Sequence, residues 1–190
     1  MPFVYHLHKD KTLSTIKLQT ILQFIITKHQ SLRTSFIYDQ DKQMLIQQIK
    51  DTKDNDNILF TYLESTFKTN EQLINIIQNE KSNPNLFNLN QGIVFRCHII
   101  YYNEKSSNNL ISHNDIIIFN FHHIIFDCQS INLFLQDLNQ TYKTEQLTLI
   151  DDNSLRYLDC KYIKILCYLF LFNFFINILS LSLYIYRCYY

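Results

Sequence analysis

Residues 3–142 alternate between short apolar runs suited to strands and longer segments whose apolar residues recur at helical spacing. That alternation constrains the fold more than any other feature, because strands and helices taken in turn pack as a mixed α/β layer structure. Phe3–Leu7 reads as a strand. Thr15–His29 reads as a helix with Leu18, Ile21, Leu22, Ile25 and Ile26 on one face. Ser35–Tyr38 and Met44–Ile49 read as strands joined by the polar turn Asp39–Lys42. Lys50–Asn57 is a solvated loop, and Ile58–Leu63 a further strand. Thr69 and Gln72 form a capping box ahead of Leu73, Ile76 and Ile77, so a second helix starts there. Ile93–Tyr102 and Asp115–Phe121 read as strands separated by the loop Asn103–Asn114. Gln129–Tyr142 carries Ile131, Phe134, Leu135 and Leu138 at helical spacing. No internal repeat is visible.

A different chain begins after residue 160. Ile165–Tyr186 is 22 residues without a charge, flanked by Lys161, Lys164 and Arg187. That length suffices to cross a bilayer as a helix, although Asn173 and Asn177 weaken the reading. A translated intron and an apolar helix packed on the domain are the other two readings. The chain has one Gly, two Pro, no Trp and no Ala. The absent residues have GC-rich codons, so a coding bias explains them, and Asn becomes a poor loop marker.

Charge and cysteine content exclude some functions. Seventeen basic and 17 acidic side chains cancel, and no basic stripe offers a nucleic-acid surface. Cys97, Cys128, Cys160, Cys167 and Cys188 form no C-x-x-C pair and no metal-finger spacing. The start, MPFVYHLHKDK, lacks the apolar core of a signal peptide. A reducing, cytoplasmic compartment fits, with membrane attachment through the tail as the alternative.

His122, His123 and Asp127 fall between a strand and a helix, where strand ends expose side chains to a cleft. A neutral imidazole there can take a proton from an amine or hydroxyl attacking an acyl carbon. Neighbours on an extended segment point to opposite sides, so one histidine can face the cleft while the other packs. Two other readings compete. The His pair with Asp127 could also begin a zinc site, but zinc needs three or four convergent ligands and nothing nearby clearly supplies the rest. A polar loop capping a helix needs no chemistry at all.

The segment HHIIFDCQS, His122–Ser130, resembles the H-H-x-x-x-D-G-x-S motif of condensation domains of non-ribosomal peptide synthetases, within the chloramphenicol-acetyltransferase-like superfamily. KHQSLRTSF, Lys28–Phe36, resembles that family's R-H-x-x-L-R-T-x-F motif. LFNLNQGIVFRCHII, Leu86–Ile100, is similar to its P-F-D-L-x-x-G-P-L-x-R stretch, and SLRYLDC, Ser154–Cys160, to its Y-x-D-Y-A segment. The order of the motifs is the family's, and the resemblance covers residues 2–160.

The resemblance implies an α/β, acetyltransferase-like two-layer sandwich over 1–160, one lobe of a normally two-lobed domain, followed by an apolar C-terminal helix within 161–190. It implies a site in a tunnel between lobes, served by acyl or peptidyl carrier proteins that present phosphopantetheine thioesters, with no cofactor or metal bound to the chain itself. His123 would assist attack of the acceptor on the thioester, as a base or an orienting dipole. His122, Asp127, Arg33 and Ser130 would hold the motif's structure, with an Arg33–Asp127 ion pair joining the two strongest motifs. The implied activity is amide or ester formation, incomplete in this chain without the second lobe. A truncated, non-catalytic or carrier-binding fragment is the alternative. Trimeric acetyltransferases of the superfamily carry their His motif near the chain end, unlike His123.

Cys128 stands where the motif has Gly, a small buried thiol more readily than a nucleophile. His29 ends the first helix, where an imidazolium favours the helix dipole. Asp151 and Asp152 read as a solvated turn, and His6, His8, His98 and His113 form no pattern.

Overall fold

The computed structural model describes residues 1–52, 59–105, 108–126 and 130–144, and the backbone of 185–187. A five-stranded sheet has the order β5-β6-β8-β1-β9, from Thr61–Phe67, Phe95–Tyr102, Ile116–Phe121, Pro2–Leu7 and Ile185–Arg187. β5 and β6 run parallel, and every other pair in this sheet is antiparallel. Parallel neighbours need a crossover, which α2 (Asn70–Ser82) supplies. β3 (Thr34–Asp39) and β4 (Met44–Ile49) form a separate hairpin.

α1 (Thr15–Lys28) starts at Ser14, whose Oγ accepts a hydrogen bond from the Lys17 amide. Its five expected apolar positions are all buried. α2 starts at Thr69, whose Oγ1 accepts from the Gln72 amide. The Gln72 side chain accepts from the amide of Lys68, one residue before the cap, so the capping box closes one position early. α3 (Ser130–Thr144) buries Ile131, Phe134 and Leu138.

The expected two-layer sandwich is corrected to three layers. α1 and α3 cover one face, packing on Phe3, Tyr5, Phe95, Cys97, Ile117, Phe119 and Phe121. α2 covers the other through Leu73 and Ile77 against Val4, Ile100 and Ile118. Both faces of β6 and β8 are therefore buried, which explains their nearly unbroken apolar runs.

The strand expected at Ile58–Leu63 lies at Thr61–Phe67. Pairing with Arg96–Tyr102 sets it, and its polar sequence reflects an edge position. β7 (Leu110–Ile111) lies within the expected loop Asn103–Asn114 and pairs with β2 (Leu13–Ser14), each too short to leave a periodic signal. The expected apolar C-terminal helix is not supported. Its last two residues, Ile185 and Tyr186, pair with Leu7 and His6 as strand β9, and the remainder lies outside the described residues. Among the described residues no helix is long and apolar enough to cross a membrane. Ser154–Cys160, Asp151 and Asp152 also lie outside them.

Candidate active site

β8 ends at Phe121, and the chain turns at once. The His122 amide donates to the Val94 carbonyl at 2.9 Å, tying the turn to the residue before β6. The Ile125 amide closes the turn on the His122 carbonyl at 3.2 Å. Ile125 and Phe126 are buried, and Phe126 stacks on Phe121 with centroids 3.7 Å apart, which roots the turn in the core.

The two imidazoles do not point apart. Their rings stack, centroids 4.4 Å apart and planes 28° apart. The expectation of opposite facing assumed extended backbone, and 123–125 is a turn. The division of burial still differs between them: His122 is half-buried and His123 exposed. Phe87 meets the His122 ring edge-on at 5.5 Å. The Ile124 amide donates to His122 Nδ1 at 3.2 Å, so the neutral ring carries its proton on Nε2. Burial first, then the neighbouring His123 and the N-terminal amino group, push the His122 pKa below its ordinary 6.5. The pair therefore consists of a seated, neutral imidazole beneath a solvent-facing one.

The motif around Gly92 builds the wall beside this turn. Asn88 and Ile93 pair across a tight loop, and Gly92 adopts φ +69. A Cβ there would stand 3.3 Å from the Ser35 backbone nitrogen. The Phe36 amide donates to the Leu89 carbonyl at 2.8 Å. Three stretches distant in sequence thus meet: 34–36, 87–94 and 121–126. A cavity of about 500 Å3 opens beside Phe87, lined also by Thr61, Asn88, Gln91 and Arg96.

The other expected site residues are placed unevenly. Ser130 begins α3. Asp127 and Cys128 lie outside the described residues. Arg33 ends a 3-10 turn, and its Nη1 donates to the Lys50 carbonyl. Its Nε is buried with no hydrogen-bond partner among the described residues. Burial lowers the Arg33 pKa, and the charge of Asp51 opposes that shift. His29 does cap α1, but its ring finds a side chain: Nε2 donates to Asp137 Oδ2 at 2.6 Å, while Lys28 Nζ donates to Oδ1 at 2.8 Å. Asp137, 4% exposed, was not singled out in the sequence. Its one signal was a carboxylate on the line of Phe134, Leu138 and Thr141. Cys97 is buried, and burial pushes its thiol pKa up, so it is an inert core group.

The chain thus carries a histidine turn at the end of a sheet strand, walled by a glycine loop. The family model described as Condensation domain matches residues 1–163, and the chain belongs to that family. Among solved structures, the epimerization domain from the third module of tyrocidine synthetase B aligns with TM-score 0.59 and 13% identity, over 79% of this chain and 31% of that one. The condensation domain of the Monacolin K polyketide synthase MokA aligns with TM-score 0.58 and 11% identity, over 78% and 30%. The condensation domain for chain release from the enacyloxin polyketide synthase gives 0.53 and 18%, over 84% and 28%. The chain thus spans about a third of the length of the structures it matches. No curated protein sequence gives a significant match.

Proposed function

We propose that the chain contributes the histidine-bearing lobe of a condensation-type acyltransferase, forming an amide or ester from a carrier-bound acyl thioester. The observation that carries this is the exposed His123 ring, stacked on a seated and neutral His122 at the mouth of the turn. A nearby neutral ring avoids the repulsion of a second imidazolium, so His123 can take a proton from an incoming amine or hydroxyl. The nucleophile's lone pair then forms the bond to the acyl carbon, and the thiolate leaves on the phosphopantetheine arm of a carrier protein. Asp127 and Ser130 frame the segment between this turn and α3. The chain itself holds no cofactor in this scheme.

The test is transfer from a carrier-bound thioester, assayed on the chain and on any longer product of the same coding region. His123→Ala is expected to abolish transfer while the fold persists, and full activity in that variant would remove the assignment. A second reading draws on the chain's coverage of about a third of the matched structures: a lobe that binds carrier without turnover. Carrier binding in a titration, with no transfer by any form, would favour it.

A further inference from the structure

The α2 face of the sheet holds a second set of reactive groups, well apart in sequence from the histidine turn. Ser65, on β5, has its Oγ 2.8 Å from His98 Nε2. His98, on β6, has its Nδ1 2.8 Å from Glu80 Oε1, near the end of α2. We propose that Ser65, His98 and Glu80 form a serine-nucleophile site that takes small, apolar acyl esters.

The geometry meets the requirements for an activated serine in order: a nucleophile on a base, and the base oriented by a third group. Glu80 is 2% exposed and His98 4%. The carboxylate is held from three sides, by His98, by Arg96 Nε at 3.0 Å on Oε1, and by Asn120 Nδ2 at 3.0 Å on Oε2. A second bond from Asn120 Nδ2 reaches the Glu80 carbonyl at 2.7 Å. Burial by itself would raise the Glu80 pKa, but these partners outweigh it and leave it lowered. An ionised Glu80 must accept from Nδ1–H, which leaves Nε2 of a neutral ring as the acceptor for the Ser65 hydroxyl.

Ser65 is half-buried, whereas its two partners are sealed from solvent, as a nucleophile and its supporting groups should be. Among the described residues β5 is an edge strand, so backbone N–H groups on its outer side stand ready to receive an acyl oxygen. Leu63 and Phe67 share the Ser65 face of β5, because alternate residues do. Those apolar neighbours favour a small apolar acyl group over a charged one.

The chemistry balances without a co-reactant other than water. Ser65 Oγ bonds to the acyl carbon as its proton passes to His98 Nε2. The tetrahedral adduct collapses, the bond to the leaving alkoxide breaks, and that oxygen takes the proton from Nε2. Water then attacks the acyl-serine, gives a proton through His98 to Ser65 Oγ, and releases the acid. The net change is ester plus water to acid plus alcohol.

A fluorophosphonate probe tests this on the full chain, since Ser65 would displace fluoride and keep the phosphonyl group. Peptide mass spectrometry is expected to place the adduct on Ser65, absent from Ser65→Ala. The rate should exceed that of the urea-unfolded chain by about a hundredfold or more, the scale of a positioned general base. His98→Gln, checked for folding by circular dichroism, should fall to the unfolded rate. Should that variant not fold, the parent's rate against that of the unfolded chain serves alone. No adduct on Ser65, a rate equal to the unfolded chain's, or a folded His98→Gln as fast as the parent would each overturn the proposal. None of these results depends on transfer at His123.

Discussion

His29 donates to Asp137 across 2.6 Å, and Lys28 grips the other oxygen of the same carboxylate at 2.8 Å. The end of α1 is thereby pinned to the middle of α3, the helix that follows the His122–Ser130 motif. Asp137→Ala leaves Lys28 and His29 in a largely buried position without their carboxylate. The expected loss is about 3–5 kcal/mol, the range for breaking one side of a buried pair. Urea unfolding measures it. A double-mutant cycle with His29→Ala should show a combined loss well below the sum of the single ones.

Stability should fall with acid in two stages. The folded His122 pKa lies below 6.5, so the unfolded chain binds that proton first. Below pH 6.5 the folded state therefore loses ground, and above it this contribution is absent. Glu80 and Asp137 shift the same way for a different reason. Their folded pKa values are lowered from 4.5 and 3.8, so the stability they contribute is present above those values and lost as pH falls through the folded ones. Melting temperature followed against pH should show both declines, and His122→Phe should remove the upper one alone.

Gly92→Asn should be nearly as damaging as Gly92→Ala. Asn adopts positive φ more readily than Ala, so a purely conformational requirement would let it rescue the position. The Cβ, however, would meet the Ser35 backbone nitrogen at 3.3 Å in either case. Strand β3 pairs that segment with β4, so it cannot easily retreat. Conformation alone accounts for about 1–2 kcal/mol in Ala. Losses above that range for both variants in denaturant titrations are the expected result, and a neutral Asn variant would assign the glycine to φ alone.

Arg33 has a buried Nε without a partner among the described residues, although its Nη1 reaches Lys50. A carboxylate in the motif loop would complete its hydrogen bonding, and a guanidinium fork suits that role better than an ammonium. We propose that Asp127 is that carboxylate. Arg33→Ala and Asp127→Ala should then cost similar amounts, about 3–5 kcal/mol each, and their double mutant far less than the sum. Strict additivity would separate the two motifs.

Periodicity was enough to read α1, α2, α3, β1, β6 and β8 from the chain, because each buries a continuous stripe or face. The hairpin of β3 and β4 was legible too, from the polar turn between its strands, but the pattern failed at the sheet edge and in the shortest elements. β5 is polar because it lies at an edge, and only its parallel partner fixes its limits. β2 and β7 are too short to have a period. The histidine pair was legible as a motif, but its stacked geometry was not, because a turn obeys no alternation. Asp137, Glu80 and His98 were passed over for a shared reason: each is a single polar residue whose partners sit on other elements, and sequence spacing carries no trace of such meetings.

The chain places Asp10, Gln43, Asn103 and Asn109 at positive φ without recourse to glycine. Its single Gly stands at 92, inside the Leu86–Ile100 motif and against Ser35 of the Lys28–Phe36 motif. Left-handed backbone is thus something a glycine-poor coding sequence can supply with polar substitutes, at a modest local strain. A missing Cβ is not. Where a Cβ would press on Lys50 and on the Ser35 backbone, composition drift meets a packing constraint and not a conformational one, and a chain stripped of almost every glycine keeps its last one there.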